Sequence, residues 1–175
     1  MPSRPQTPAY EDPQDTTTPA LWGRIACTWA VAFAALHFYW ALGGSRGLSV
    51  SAGSLAETRP GWFVAVGLWG VGLLCLVAGV LGWLLARPRP RGLFGRTLRV
   101  LGWCACAVLL ARGIAVEALL LADTAGQEVH VSPEQRMWTL ALWNPWFLIG
   151  GLLFGLAARK FGRAKGPSGG AAPHP

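Results

Sequence analysis

The sequence predicts an all-α integral membrane protein, a four-helix bundle with both termini in the cytoplasm. Three observations predict it. Hydrophobic residues make up 53% of the 175-residue chain and charged residues only 13%, where about 25% charged is usual for soluble domains. Four windows stay apolar long enough to cross a hydrocarbon core of roughly 30 Å, which takes about 20 residues of helix. The basic residues fall unevenly on the connections, in step with four crossings.

Residues 1–20, "MPSRPQTPAYEDPQDTTTPA", carry five prolines and no apolar run. They lack the basic start and short apolar core of a cleavable signal peptide, so a disordered tail and an uncleaved first span are expected. The spans fall near 21–42, 61–86, 98–121 and 138–158, within a four-span domain at 21–158. The remainder, 159–175, reads as a basic stretch and then a disordered tail. Each window is continuously apolar, without the short alternating segments of a closed barrel. Helices, which satisfy their own backbone hydrogen bonds in lipid, are the better solution.

Threading follows from the charges. Arg4, Arg24, Arg87, Arg89, Arg91, Arg96, Arg99, Arg159, Lys160, Arg163 and Lys165 fall on one side, and only Arg46, Arg59 and Arg136 on the other, with Arg112 inside a span. The positive-inside rule puts the crowded side in the cytoplasm. A pI near 10.1 is therefore read as topology and attraction to lipid headgroups, and nucleic acid is not expected as a partner. Trp22, Trp83 and Trp103 sit near the expected cytoplasmic boundary, and Trp40, Trp62 and Trp138 near the outer one, as interfacial belts require. Trp29, Trp69, Trp143 and Trp146 lie deeper and read as packing.

Lipid supplies little drive for helices to associate, so close approach through small residues matters. Candidates are Ala26, Ala30 and Ala34 in the first span, Cys75/Gly79 and Ala78/Gly82 in the second, and Gly151/Gly155 in the fourth. They serve either packing within one bundle or a homo-oligomer face. "RPRPRG" at 87–92 reads as a proline-broken basic turn. The longer outer connections, 43–60 and 122–137, either cap the bundle or are mobile.

Ionisable and amide side chains inside a span are expensive and tend to mark function. Four stand out: His37 in "LHFYWALGG", Arg112, Glu117 and Asn144. Counting back from the expected outer helix ends at 1.5 Å per residue puts Glu117 roughly 6 Å deep, His37 roughly 8 Å, Asn144 roughly 9 Å and Arg112 roughly 14 Å. All four then lie in the outer half, on three helices. If those helices face one another, His37, Trp40, Arg112, Glu117 and Asn144 line a polar ligand-binding pocket. Otherwise Glu117 sits in the headgroups and Arg112 snorkels toward them. Arg112 and Glu117 are five apart, about 140° around the helix, so they are not a ready-made pair. Pro145 lacks an N–H and clashes with the carbonyl of Ala141, which predicts a kink and free acceptors beside Asn144.

Several chemistries lack their motifs. Cys27, Cys75, Cys104 and Cys106 all fall within spans, and "CAC" turns its two thiols about 200° apart, unlike a C-x-x-C redox pair. There is no H-E-x-x-H, and only one histidine lies within a span, so neither a metal site nor haem is expected. "GVGLLC" lacks the third glycine of a dinucleotide fingerprint. No catalytic residues and no cofactor are assigned.

"HFYWALGG" at 37–44, "RG" at 112–113 and "NPWFLIGGLLFGLAA" at 144–158 resemble a family of small bacterial four-span membrane proteins of unknown function. The resemblance covers most of 21–158 and rests on the first and fourth helices. It implies a bacterial cytoplasmic membrane and no established activity. His37, Trp40, Gly43, Arg112 and Pro145 match the family pattern. Glu117 and the connection after it depart from it, which puts a pocket built on Glu117 in doubt.

The leading expectation is a non-catalytic protein whose outer-half pocket binds a small ligand or lipid, with membrane lipids as its surroundings. The rivals are a scaffold or subunit of a membrane complex, as a homo-oligomer or with a membrane-protein partner, and a membrane enzyme or proton-coupled transporter using His37 or Glu117.

Overall fold

The structure, a computed structural model, describes residues 14–87, 92–123 and 132–163. The expected tail before residue 14, the turn around Arg89 and Arg91, the middle of the 122–137 connection and the C-terminal tail lie outside the described residues. Every regular element among the described residues is helical, with no strand. Four helical stretches are long and apolar enough to cross a membrane: Ala20–Ala41, Phe63–Leu85, Leu93–Leu120 and Pro133–Phe161.

Helix α1, Gln14–Ala41, begins seven residues ahead of the expected span. It ends at "ALGG" because Gly43 takes φ 104°. There Gly44 N–H bonds the Tyr39 carbonyl at 2.9 Å and Gly43 N–H the Trp40 carbonyl at 3.1 Å, the paired pattern by which a left-handed glycine closes a helix.

The connection that follows is folded. Two short helices, α2 (Leu48–Ala52) and α3 (Ser54–Thr58), lie over the end of α1. Trp40 Nε1 donates to the Arg46 carbonyl at 2.8 Å. Arg59 donates to the carbonyls of Gly44 at 2.6 Å and Trp40 at 3.4 Å, so its charge sits against the negative end of the helix dipole. Leu48 is buried with Trp40, Phe63 and Leu68. We refer to this as the capped end and to the opposite one as the arginine-rich end.

The second span starts as a wide π-helical segment, Phe63–Gly70, and continues as α4, Val71–Leu85. The third is α5, Leu93–Asp123. The fourth begins earlier than the sequence suggested. Ser132 caps α6 (Pro133–Trp138) by accepting from Gln135 N at 3.1 Å, with Pro133 in the first turn, where its missing N–H costs nothing. A second π segment, Thr139–Trp143, then leads into α7, Asn144–Arg163. Arg136 donates to the Leu120 carbonyl at 2.7 Å, so α5 also has its C-terminal carbonyls met by an arginine.

Helices α1 and α7 form the central pair. The most extensive packing is of α5 on α7 and of α4 on α1, with α1 on α7 between them. Accordingly 39% of the apolar window is buried in the first and fourth spans, against 22% and 17% in the second and third. Small residues make the contacts close. A Cβ on Gly82 would meet the Cys27 backbone nitrogen at 2.7 Å, and one on Gly79 the Val31 side chain at 3.1 Å. Gly151 lies against Leu110 and Gly155 against Cys106. All four therefore face helices of the same chain. The pleat of Ala26, Ala30 and Ala34 is fully buried as well.

Candidate functional site

The site grows from a stripe on α1. Trp29, Phe33, His37 and Trp40, spaced four, four and three, share one helical face, and all four are buried. Trp143, Trp146 and Phe147 meet them from the fourth span. Trp29 stacks on Trp146 with centroids 5.5 Å apart, over a notch left by Gly150, whose Cβ would run into the indole. Phe33 meets Phe147 edge-on at 5.6 Å and Trp143 at 6.0 Å. Trp40 meets Trp143, also at 6.0 Å.

His37 sits inside this stack, edge-on to Phe33 at 4.5 Å and to Trp40 at 5.3 Å. Its Nδ1–H donates to the Phe33 carbonyl at 3.0 Å, one turn back on its own helix. In the neutral ring that tautomer leaves Nε2 as an acceptor.

On the other side of α7, Asn144 Nδ2 donates to Glu117 Oε2 at 2.6 Å. Asn144 is only 1% exposed, and its Oδ1 has no hydrogen-bond partner. The indole nitrogens of Trp29, Trp143 and Trp146 are likewise buried and unpartnered. Pro145 helps set this geometry. Without its N–H the carbonyl of Ala141 loses its usual partner, and one residue earlier Asn144 N–H bonds the Thr139 carbonyl five residues back rather than that of Leu140. The widened turn carries Trp143 toward α1 while Asn144 faces α5.

Trp143 touches both residues that flank His37, and Asn144 follows it in the chain. His37 and Trp40 in the α1 stack and the Asn144–Glu117 bond between α7 and α5 are thus connected through the neighbouring positions 143 and 144 of the fourth span, and we refer to the two pairs together as the layer. Arg112 meets the site only at its aromatic edge. Its side chain is exposed, and its guanidinium lies over the Phe147 ring, 4.9 Å from the centroid. The surface groove lined by Pro133, Arg136, Met137, Leu140 and Ala141 includes none of the five expected site residues.

Sequence reasoning missed the aromatic half of the site: Phe33, Trp146 and Phe147, with Trp29 and Trp143 read as packing alone. The i, i+4 stripe on α1 was a usable signal. Its partner stripe was hidden because a π turn shifts the helical register. Among the described residues no three His, Cys, Asp or Glu side chains cluster as metal ligands.

The layer offers hydrogen-bonding capacity rather than a reactive pair. It holds one carboxylate oxygen beyond that taken by Asn144 and one orphaned amide oxygen, and the Trp143 indole beside Trp40 adds one orphaned N–H. A family model described as "Protein of unknown function (DUF3995)" matches residues 30–154, a stretch from mid-α1 to mid-α7 that contains the whole layer. No curated protein and no solved structure matches the chain.

Proposed function

The chain belongs to that family of unknown function, and from this premise we propose that it is a non-catalytic multi-pass membrane protein that binds a small ligand or lipid at the His37–Trp40–Asn144–Glu117 layer. The observation that carries the reading is the orphaned Asn144 Oδ1, buried on a residue bonded to the Glu117 carboxylate. Buried polar atoms without partners are rare because leaving one unmade costs about 1–3 kcal/mol, so a polar guest that completes them is favoured. Arg112, exposed on α5, reaches the aromatic edge of that site through Phe147.

In this reading the capped end faces outward and both termini lie in the cytoplasm of a bacterial cell. The support is the charge asymmetry, with Arg24, Arg87, Arg96, Arg99, Arg159 and Lys160 at the arginine-rich end.

Native mass spectrometry of the gently extracted protein tests the proposal, with wild type beside His37→Ala and Asn144→Ala. A stoichiometric bound mass in the wild type, lost in both variants, supports the layer as its site. A bare protein mass in the wild type sinks the reading.

A further inference from the structure

Arg112 stands where a charge is costly. It lies within the third span, about 12 Å of helix rise inside the nearer end, and it is exposed on the least buried of the four spans. Ionisable residues at such depth usually pair with one another or face a bundle interior, and a guanidinium does not shed its proton. Among the described residues its charge meets the ring of Phe147 and no acid.

The manner of that contact leaves the group ready to bind. The guanidinium carbon lies over the ring, 4.9 Å from the centroid, so the ring holds the charge through its π face. The five N–H donors lie in the guanidinium plane, and this contact uses none of them. Arg59 and Arg136, by contrast, place theirs on helix-end carbonyls. Arg112 therefore presents an oriented fork of free donors, the geometry that takes two oxygens of a phosphate.

The neighbours of Arg112 on α5 decide where the phosphate comes from. Leu101, Val108 and Leu119 are exposed and lie within about 40° of it around the helix, so the fork sits in an apolar stripe. From Arg112 to Leu101 that stripe runs about 16.5 Å toward the arginine-rich end, close to the roughly 15 Å that is half of a 30 Å core. A free anion has to leave water to reach the fork and gains nothing from the stripe. A phospholipid of the leaflet at the capped end fits both features: its phosphate, drawn inward by local thinning of the bilayer, meets Arg112, and an acyl chain follows Val108 and Leu101. A net-anionic head is favoured, because a zwitterionic one already carries an ammonium beside its phosphate while an anionic one leaves its charge for the arginine.

We propose that Arg112, held on Phe147, binds the phosphate of a net-anionic phospholipid whose acyl chain lies along the exposed stripe of α5. This site is separate from the layer and does not depend on the ligand-binding reading of it.

The test reconstitutes the full chain in vesicles of equimolar dioleoyl phosphatidylglycerol and dioleoyl phosphatidylcholine, extracts it gently and counts bound lipid by native mass spectrometry. Arg112→Gln is expected to carry one phosphatidylglycerol fewer per chain than wild type, with phosphatidylcholine unchanged. Arg112→Lys, which keeps the charge without the fork, and Phe147→Leu, which removes the ring, are expected to lower the occupancy of that one molecule several-fold. Asn144→Ala is expected to keep it, which separates this site from the layer. A second readout is independent of each variant's own stability: the rise in thermal midpoint when half the phosphatidylcholine of a pure phosphatidylcholine vesicle is replaced by phosphatidylglycerol. A ligand that binds the folded state raises the midpoint, so wild type is expected to gain more than Arg112→Gln. Equal gains, an unchanged phosphatidylglycerol count in Arg112→Gln, an equal loss of phosphatidylcholine, loss of the lipid in Asn144→Ala, or its displacement by inorganic phosphate each overturns the proposal.

Discussion

Asn144 donates to Glu117 across 2.6 Å, and this bond ties the third span to the fourth where the helix entering α7 is distorted. Hydrogen bonds between helices in lipid contribute about 0.6–2 kcal/mol. Glu117→Gln keeps an acceptor oxygen in place, whereas Asn144→Leu deletes the donor and leaves the carboxyl group unpaired. We expect Asn144→Leu to lower the thermal midpoint in detergent by an amount corresponding to that range, with Glu117→Gln close to wild type. Equal midpoints for both variants would remove the bond's structural role.

Arg59 is the one non-glycine residue with positive φ among the described residues, at 41°, and its guanidinium closes the end of α1 through the Gly44 and Trp40 carbonyls. Hydrogen bonds to charged groups are worth about 1.5–3 kcal/mol. Arg59→Ala is expected to release residues 43–60, seen as faster amide exchange there while the spans keep their protection. Arg59→Lys should not restore protection, because an ammonium cannot place two donors in a fixed fork. Uniform loosening of the spans would contradict a local cap.

Gly82 and Gly61 form a matched pair for testing the α1–α4 contact. A Cβ on Gly82 meets backbone, the Cys27 nitrogen at 2.7 Å, while one on Gly61 meets nothing within 4 Å. Backbone cannot rotate away, so Gly82→Ala should cost about 1–3 kcal/mol, as overpacking does. Gly61→Ala should leave the melting midpoint unchanged.

Pro145→Ala restores an N–H and with it the ordinary bond to the Ala141 carbonyl. The π segment Thr139–Trp143 is then expected to tighten, turning Trp143 away from Phe33 and Trp40. Paired cysteines at positions 40 and 143 that cross-link in the parent chain should stop doing so in the Pro145→Ala chain. Persistent cross-linking would show that the π turn is held by packing, independently of the proline.

The four spans were legible because twenty-residue apolar windows have few other solutions. Of the expected polar residues, Asn144 and Glu117 meet across two helices and His37 and Trp40 share a face of α1, and only the second relation follows from counting residues along one helix. Arg112 was placed with them by count along the helix, but depth carries no information about azimuth, and the structure lays its exposed guanidinium over Phe147. The two π segments escaped notice for different reasons. Thr139–Trp143 has a cause in Pro145, although that cause suggested a kink rather than a widened turn. Phe63–Gly70 has no local signal in "FVAVGLWG" that we can identify. Arg59 and Arg136 entered only as topology charges, since capping a helix distant in sequence is a tertiary property. The connection at 43–60 lacked the periodicity that would have revealed helices of five residues.

The near-parallel indoles of Trp29 and Trp146, 26° between planes, have an optical consequence. Two chromophores this close share their excitation, so the far-ultraviolet circular dichroism of the protein should contain a split couplet from the strong indole band of that pair, lost in Trp146→Phe. Trp40 and Trp143, linked to it through Phe33, add transfer of excitation toward the capped end. The chain thus carries an intrinsic reporter of the α1–α7 seam, readable without labels.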